Sequence, residues 1–207
     1  RAQALDDVVI SSGRAEQRSF DAPAAVQAIG ESVIREAGPQ VNLSEALNRA
    51  PGVTVLNRQN YAQDLQLSIR GFGARSTFGI RGVRLLVDGI PATMPDGQGQ
   101  ASTIALPSTD RIEVLRGPLA QLYGNAAGGV VQAWTRDPSA TPEVGIQAWA
   151  GSFGTQRYGL QTTGRSGAAG WVVDLSDFTT NGWRTRGAAS RQQLNAKLTT
   201  QIGDTRL

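Results

Sequence analysis

The chain has 207 residues, and its 20 basic and 17 acidic side chains leave a net charge of +3, too small an excess to indicate nucleic acid as a partner. It contains neither cysteine nor histidine, which excludes disulfides, cysteine metal sites and a Ser-His-Asp triad formed within this chain. Glycine contributes 25 residues, which favours turn-rich β structure. No apolar run approaches the about 18 residues of a membrane helix, so any membrane-spanning part must be built from strands.

The N-terminal residues carry two short signals. Ala2-Gln3-Ala4 has the small-x-small pattern of a secretory cleavage site, so we expect the remnant of a signal peptide; an ordinary alanine-rich terminus is the alternative. Residues 5–12, LDDVVISS, place an acidic pair before a β-branched run. This pattern is typical of a short edge strand or a flexible tail.

Two helical segments are predicted next. Residues 31–37 fit one or two helical turns, which end at Gly38-Pro39. A second helix is expected to begin with Asn42 as its N-cap, because Glu45 follows three residues later in the spacing of a capping box. Its apolar side chains share one face, which we expect to be core: Leu43, Ala46, Leu47 and Ala50.

Three alternating runs provide the strongest β signal in the chain. They comprise residues 65–70, 83–88 and 112–116. Alternation of apolar and polar side chains predicts half-buried strands. Each run ends in a charged residue followed by glycine, at Arg70, Asp88 and Arg116. Glycine accepts the positive φ of a sharp turn, so we expect one compact sheet with these three charges on its rim.

Two loops between these runs carry the candidate binding residues. Residues 74–81 and 92–100 are rich in glycine and polar side chains, and binding residues concentrate in such loops on a rigid sheet. Arg75 and Arg81 suit an anionic ligand, and neutral side chains would supply further hydrogen bonds. Solvated turns without a ligand are the alternative. The set expected to contact a small-molecule ligand is Arg75, Ser76, Phe78, Arg81, Thr93, Met94, Asp96, Gln98 and Gln100.

Neither nucleotide binding nor catalysis is predicted. Residues 124–129, GNAAGG, are glycine-rich, but the chain has no Gly-Lys-Ser/Thr sequence of a phosphate-binding loop. Paired carboxylates can perform acid–base chemistry, but Asp88, Asp96 and Glu113 show no spacing signature and no histidine assists them. We therefore predict no enzyme, no catalytic residue, no metal ligand and no cofactor.

The pattern changes after the polar linker at residues 136–142, RDPSATP. Within residues 143–202, four segments alternate apolar with polar side chains and are separated by breaks rich in Gly, Ser and Asp. Strands of about ten residues with an apolar outer and a polar inner face are typical of outer-membrane barrels. A soluble antiparallel sheet is the alternative. Four aromatic residues fit interfacial girdles: Trp149, Tyr158, Trp171 and Trp183.

Five sequence words between residues 68 and 131 resemble the plug domain of TonB-dependent outer-membrane receptors, in the order and spacing of that family. The words around TMPDGQGQ (93–100) resemble more narrowly the PqqU/YncD-like branch, the pyrroloquinoline quinone receptors, whose ligand carries three carboxylates. Most of the family imports ferric siderophores. The five words are SIRGFG (68–73), IRG (80–82), LLVDGIP (85–91), RIEVLRGP (111–118) and LYGNAAGGVV (122–131).

The resemblance implies an α+β plug domain, a small mixed sheet with short helices, followed by the first strands of an antiparallel transmembrane β-barrel. It implies an N-terminal tail with the TonB box at 1–12, the plug at 13–137 and about four barrel strands at 138–207. In the family, the box adds as a strand to the coupling protein TonB, which works with ExbB and ExbD. Here the box would comprise Asp7, Val8, Val9, Ile10 and Ser11.

The same resemblance implies roles for the plug residues. Loops 74–81 and 92–100 would form the floor of a ligand pocket, and Arg70, Glu113 and Arg116 would form ion pairs with the barrel wall. The chain is expected to be the N-terminal part of an outer-membrane transporter that imports a scarce nutrient, contacts outer-membrane lipid and serves as a phage or colicin receptor. A soluble periplasmic plug-like binding or signalling module is the alternative. Because a barrel that encloses a plug needs about 22 strands, we expect the chain to be part of a longer receptor.

Overall fold

The chain forms two parts, a set of sheets and short helices up to Thr135 and a meander of long strands from Glu143. We describe them from a computed structural model. The structure describes residues 9–10, 17–18, 26–57, 61, 65–76, 79–94, 98–117, 120, 123–124, 126–202 and 205–206.

The strands of the first part are short, with two to seven residues each. In chain order they are β1 (Val9–Ile10), β2 (Gln17–Arg18), β3 (Val26–Gly30), β4 (Val53–Leu56), β5 (Gln66–Ile69), β6 (Val83–Val87), β7 (Ile90–Pro91), β8 (Thr109–Leu115) and β9 (Gly129–Thr135). Five of them form a mixed sheet in the order β3-β8-β9-β6-β7, in which β6 and β9 run parallel. Separate two-stranded sheets contain β1 with β2 and β4 with β5.

The central strands of the mixed sheet are buried on both faces, so the predicted half-burial is wrong for them. In β8, Val114 and Ile112 point to one face and Glu113 and Leu115 to the other, and all four are fully buried. The first face packs against the two helices and the β4–β5 sheet. The second packs against the segment that contains Ala120 and Ala126. Coverage on both sides makes this sheet the core of the first part.

The three charged turn residues do not share one rim. Arg70 and Gly71, with φ of 50° and 86°, make a tight turn at the end of β5, in the two-stranded sheet. Arg116 follows β8 and Asp88 follows β6, and these strands run in opposite directions because β8 is antiparallel to β9 while β6 is parallel to it. Asp88 therefore lies at the opposite end of the mixed sheet from Arg116. The alternation identified the strands but not their partners.

Helix α1 (Glu31–Glu36) agrees with the prediction, and α2 (Ser44–Leu47) is shorter than expected. The predicted face of α2 is buried as expected, with Leu43 and Leu47 in the core. The predicted N-cap is wrong, because Leu43 occupies that position and no side chain caps it. The Glu45 half of the predicted capping box is present, because Glu45 accepts the Asn42 N–H, and it also accepts the N–H groups of Gln40 and Val41.

The second part is an antiparallel meander in chain order. Its strands are β10 (Glu143–Gly151), β11 (Thr155–Ser166), β12 (Ala169–Thr180), β13 (Ala189–Ile202) and the short β14 (Thr205–Arg206). Each of the four long strands has 9 to 14 residues, against the about 9–11 that a tilted strand needs to cross a bilayer. We call the sheet β10–β13 the wall.

The wall has an apolar outer face and a polar inner face. One outer row is formed by directly paired residues on neighbouring strands, Ile146, Leu160, Leu175 and Leu194, whose exposure is 46% to 81%. The inner residues face the first part of the chain, and Asp174 and Arg157 among them are buried. Trp149 pairs with Arg157 and so lies on the inner side, which corrects its predicted place in an outer girdle. No helix among the described residues is long and apolar enough to span a membrane.

Candidate functional site

The two predicted ligand loops lie against each other at the start of β6. Ile80 and Gly99 form an isolated bridge, in which the Gly99 N–H donates to the Ile80 carbonyl at 2.8 Å. Thr93 also pairs with Gly99, and the Met94 N–H donates to the Gln98 carbonyl at 2.8 Å. Backbone hydrogen bonds therefore join the two predicted ligand loops.

The side chains in these loops divide into exposed and half-buried groups. Arg75 and Arg81 are exposed, and Met94 is 50% exposed. Ser76 donates from Oγ to the Gly79 carbonyl at 2.9 Å, so its hydroxyl stabilises its own loop. Phe78 and Asp96 lie outside the described residues. The half-buried members of the predicted set are Ser76, Thr93, Gln98 and Gln100.

A separate cavity of about 190 Å³ lies between the first part and the wall. Arg35 and Pro107 line one side, and inner-face residues such as Gln147, Arg157 and Asp174 line the other. None of the described ligand-loop residues borders this cavity. Its volume is below the about 300–1,000 Å³ of ordinary small-molecule pockets, so this space is no substitute for the predicted loops.

Arg70 and Arg116 form a concentration of positive charge beside Gly52. Arg116 donates to the Pro51 carbonyl at 2.9 Å and to Gln27 Oε1 at 2.7 Å, while its buried Nε has no partner among the described atoms. Burial lowers the pKa of Arg116, and the positive charge of Arg70 lowers it further. Two neighbouring cations of this kind favour an acidic partner.

Glu113 has its ionic partner within its own strand. Its Oε1 accepts from Arg111 Nε at 2.9 Å, and the Arg111 guanidinium lies 5.1 Å from the centre of the Trp134 ring. The two charged residues are two positions apart in β8 and therefore share one face of the sheet. The Glu113 carboxylate is completely buried, and its pairing with Arg111 offsets part of the free-energy cost of that burial.

One junction between the first part and the wall consists of polar residues that were not predicted as site residues. Ser108 Oγ donates to Asp174 Oδ2 at 2.5 Å and accepts from Asn195 Nδ2 at 2.7 Å. Gln161 Nε2 donates to the Pro107 carbonyl at 3.2 Å. Gln161, Asp174 and Asn195 are direct neighbours across β11, β12 and β13. This polar row holds the turn Leu106–Ser108, and its signal in the sequence was the polar inner positions of three successive strands.

Charged contacts form a second junction near the linker. Lys197 Nζ lies 3.4 Å from Asp137 Oδ1 and 4.0 Å from Asp88 Oδ2. Arg136 pairs with Glu31 at 2.5 Å. Asp88, expected on the rim of the sheet, faces the wall and also accepts from the Thr135 N–H at 2.8 Å.

Replacing Asp174 with alanine should loosen the turn Leu106–Ser108. Removal of the carboxylate leaves the buried Ser108 hydroxyl without its acceptor, at a cost of about 1–3 kcal/mol. We expect faster hydrogen exchange at the Ser108 amide, which donates to Ala105. Asp177→Ala, on the outer face of the same strand, is the control and should leave this amide unchanged. Equal exchange in the two variants would contradict the role given to the polar row.

The predicted TonB box is described only in part. Val9–Ile10 form β1, which pairs antiparallel with Gln17–Arg18. Asp7, Val8 and Ser11 lie outside the described residues. Among the described residues, no cluster of three or more acidic side chains has the arrangement of a metal site.

Comparison with known proteins identifies the family. The model of the TonB-dependent Receptor Plug Domain matches residues 18–130. The ferric enterobactin receptor PirA of Pseudomonas aeruginosa is 36% identical over 149 residues, 65% of this chain and 19% of the relative. The vitamin B12 transporter BtuB of Vibrio vulnificus is 29% identical over 175 residues, 84% of this chain and 28% of the relative.

A solved structure has the same fold. The pyoverdine outer membrane receptor FpvA from Pseudomonas aeruginosa PAO1, bound to pyoverdine, has a TM-score of 0.79 and 20% identity, and the match covers 96% of this chain and 28% of that one. This chain thus spans less than a third of the length of these relatives. They are receptors and transporters, in agreement with the prediction that the chain is not an enzyme. The chain belongs to the TonB-dependent receptor family of the bacterial outer membrane.

Proposed function

We propose that this chain is the N-terminal part of an active transporter that imports a scarce nutrient across the outer membrane. The observation that carries the proposal is the polar inner face of the wall, which binds the plug through Ser108 while the outer face presents an apolar row. A plug held inside a lipid-facing sheet is the arrangement that a gated pore requires. The exposed outer row also disfavours a soluble plug-like module, since it would leave a large apolar surface in water.

The proposed organisation has three parts. Residues 1–12 are a tail with the TonB box, residues 13–137 are the plug, and residues 138–207 begin the barrel. Asp7, Val8, Val9, Ile10 and Ser11 would pair with TonB, which ExbB and ExbD energise. Strand addition suits β1, because a two-residue strand in a two-stranded sheet still has one edge available among the described residues.

The ligand is proposed to bind on the paired loops 74–81 and 92–100. Two observations support this binding site. The bridge between Ile80 and Gly99 brings the two loops together, and the side chains of Arg75 and Arg81 are exposed. Exposed guanidinium groups suit carboxylate or catecholate oxygens. A ferric siderophore and a carboxylated redox cofactor such as pyrroloquinoline quinone both present such groups, and the named relatives include a ferric enterobactin receptor and a vitamin B12 transporter.

Arg70 and Arg116 are proposed to pair with acidic residues of the barrel. Two observations support this pairing. Arg70 and Arg116 lie close together, and Nε of Arg116 has no partner among the described atoms. Glu113 would contribute through Arg111, with which it is paired. The loops 152–154 and 181–188, at the end of the wall opposite the two-residue turn 167–168, are the proposed attachment points for a phage or colicin.

Calorimetric titration of the full-length receptor in detergent should show saturable binding of one ligand class. The panel is pyrroloquinoline quinone, ferric enterobactin and vitamin B12, tested on the wild type, Arg75→Ala and Arg81→Ala. Loss of one charge-assisted hydrogen bond should weaken binding of an anionic ligand about 10-fold or more. Arg49→Ala, an exposed arginine outside the loops, is the matched control.

The outcomes of this titration separate the alternatives. If pyrroloquinoline quinone binds and either Arg75→Ala or Arg81→Ala weakens its binding, the pyrroloquinoline quinone branch is supported. Siderophore or vitamin binding without a quinone signal rejects that branch and keeps the general import function. Binding that neither loop substitution alters removes the ligand from these loops.

A further inference from the structure

Glu45 is a half-buried carboxylate whose role extends beyond its own helix. Its two oxygens accept the N–H groups of Gln40, Val41 and Asn42 at 2.6 to 3.0 Å. Burial raises the pKa of Glu45 above its ordinary value, although these three donors and the positive charge of Arg157 act in the opposite direction. The carboxylate therefore fixes the turn 40–42 to the start of α2.

The wall presents two cations to the surface that faces Glu45. Arg157, Phe178 and Arg191 are direct neighbours across β11, β12 and β13, so they form one inner row. The Phe178 ring lies 4.6 Å from the ring of Tyr61, another plug residue. Burial raises the pKa of Tyr61, and the negative charge of Glu45 raises it further. Val41 links Arg191 to Glu45, because its carbonyl accepts from Arg191 while its N–H donates to Glu45.

Arg191 clamps two separate plug segments. Its Nη1 donates to the Val41 carbonyl at 2.8 Å, in the turn that Glu45 stabilises. Its Nη2 donates to the Ser102 carbonyl at 2.7 Å, in the 3-10 turn Ala101–Thr103 that follows the loop 92–100. Carbonyl groups satisfy the donors of a guanidinium but do not neutralise its charge, and Glu45, which accepts the Val41 N–H, is the carboxylate beside this clamp.

We propose that Glu45 is a positioning residue whose charge holds Arg191 and Arg157 in place, so that Arg191 fixes both the turn before α2 and the turn Ala101–Thr103 to the wall. We call this set the Glu45 latch, and it consists of Glu45, Arg157 and Arg191. The latch goes beyond the proposed transport function and does not depend on which ligand is imported. Its consequence is that the end of loop 92–100 and the turn before α2 remain attached to the wall as one unit.

Hydrogen exchange at the Ile104 amide tests the latch. This amide donates to the Ala101 carbonyl and makes no contact with Glu45, so a purely local capping role of Glu45 would leave it unchanged. We expect Glu45→Gln in the full-length receptor to accelerate Ile104 exchange about tenfold, the effect of a coupling in the range found between contacting residues. Glu36→Gln, an exposed carboxylate at the end of α1, is the control and should have no effect.

A double-mutant cycle isolates the charge. Glu45→Gln places an NH₂ group where one Glu45 oxygen accepts from the Gln40 N–H, so this hydrogen bond is lost. The loss occurs both with and without Arg191, and it therefore cancels in the cycle. In the Arg191→Gln background, Glu45→Gln should change Ile104 exchange less than about twofold, because the clamp is already absent. Equal effects in the two backgrounds, or no effect of Glu45→Gln on Ile104, would overturn the latch.

Arg191→Lys tests the same proposal from the wall and leaves the bonds of Glu45 intact. A lysine ammonium lacks the planar fork that reaches two carbonyls at once. Ile104 exchange should therefore rise about tenfold, as in Glu45→Gln, because a comparable coupling is lost. Unchanged exchange in this variant would show that the clamp does not hold the turn and would reject the proposal even if Glu45→Gln failed to fold.

Discussion

Replacing Gly129 with alanine should destabilise the plug by about 3 kcal/mol, because strained backbone and a steric clash act together. Gly129 begins β9 with a φ of 133°, and an added Cβ would lie 2.6 Å from the Leu115 carbonyl oxygen. The carbonyl belongs to the neighbouring strand β8 and cannot move without disturbing the sheet. Native-state hydrogen exchange at the Val114 and Val131 amides, in the paired core of β8 and β9, measures this free energy.

Two other glycines separate the two causes. Gly117 has a φ of 80° but no atom within 4 Å of an added Cβ, so Gly117→Ala reports the backbone strain alone and should cost about 1 kcal/mol. Gly30 has neither a positive φ nor a close neighbour, so Gly30→Ala should be close to neutral. Equal losses at all three positions would show that the close approach of β9 to β8 does not determine the stability of the plug.

Proline at both Val9 and Ile10 should abolish uptake while leaving ligand binding intact. Successive residues of a strand direct their N–H groups to opposite edges, so the pair of substitutions removes a donor from each edge of β1. A strand without these donors cannot extend the sheet of a partner protein. The measurement compares surface binding with accumulation of labelled ligand in cells that produce each receptor.

The control for this prediction is Val9→Thr with Ile10→Thr, which retains both N–H groups and the β-branched shape. Uptake by the threonine variant should remain within about twofold of the wild type, since main-chain bonds supply the affinity. Full uptake by the proline variant would exclude strand addition at this segment, and reduced ligand binding would indicate damage to the plug instead.

The local structure of the first part could be predicted from the sequence, but its long-range pairing could not. The glycines after Arg70 and Asp88 identified both tight turns. Alternation cannot choose partners, however, and β5 pairs with β4 while β9 separates β6 from β8. The expectation of half-burial failed because the polar residues Glu113 and Gln132 are themselves buried, and Glu113 is paired with Arg111.

The candidate site shows the same division. Loops 74–81 and 92–100 were recognisable from their composition, and the structure brings them together through Ile80 and Gly99. The junction with the wall was not recognisable, because Ser108 binds partners 66 and 87 residues further along the chain. A single serine in a short turn has no sequence pattern that distinguishes it. Only the tertiary fold places it opposite the polar row of the wall.

We propose that this chain is the N-terminal part of a receptor whose transport is driven by TonB. The most direct test is accumulation of the ligand identified by titration, in two strains that both produce the full-length receptor and differ only in the presence of TonB. We expect equal, saturable surface binding in both strains and accumulation only in the strain with TonB. Equal accumulation in the two strains would show that transport does not depend on TonB.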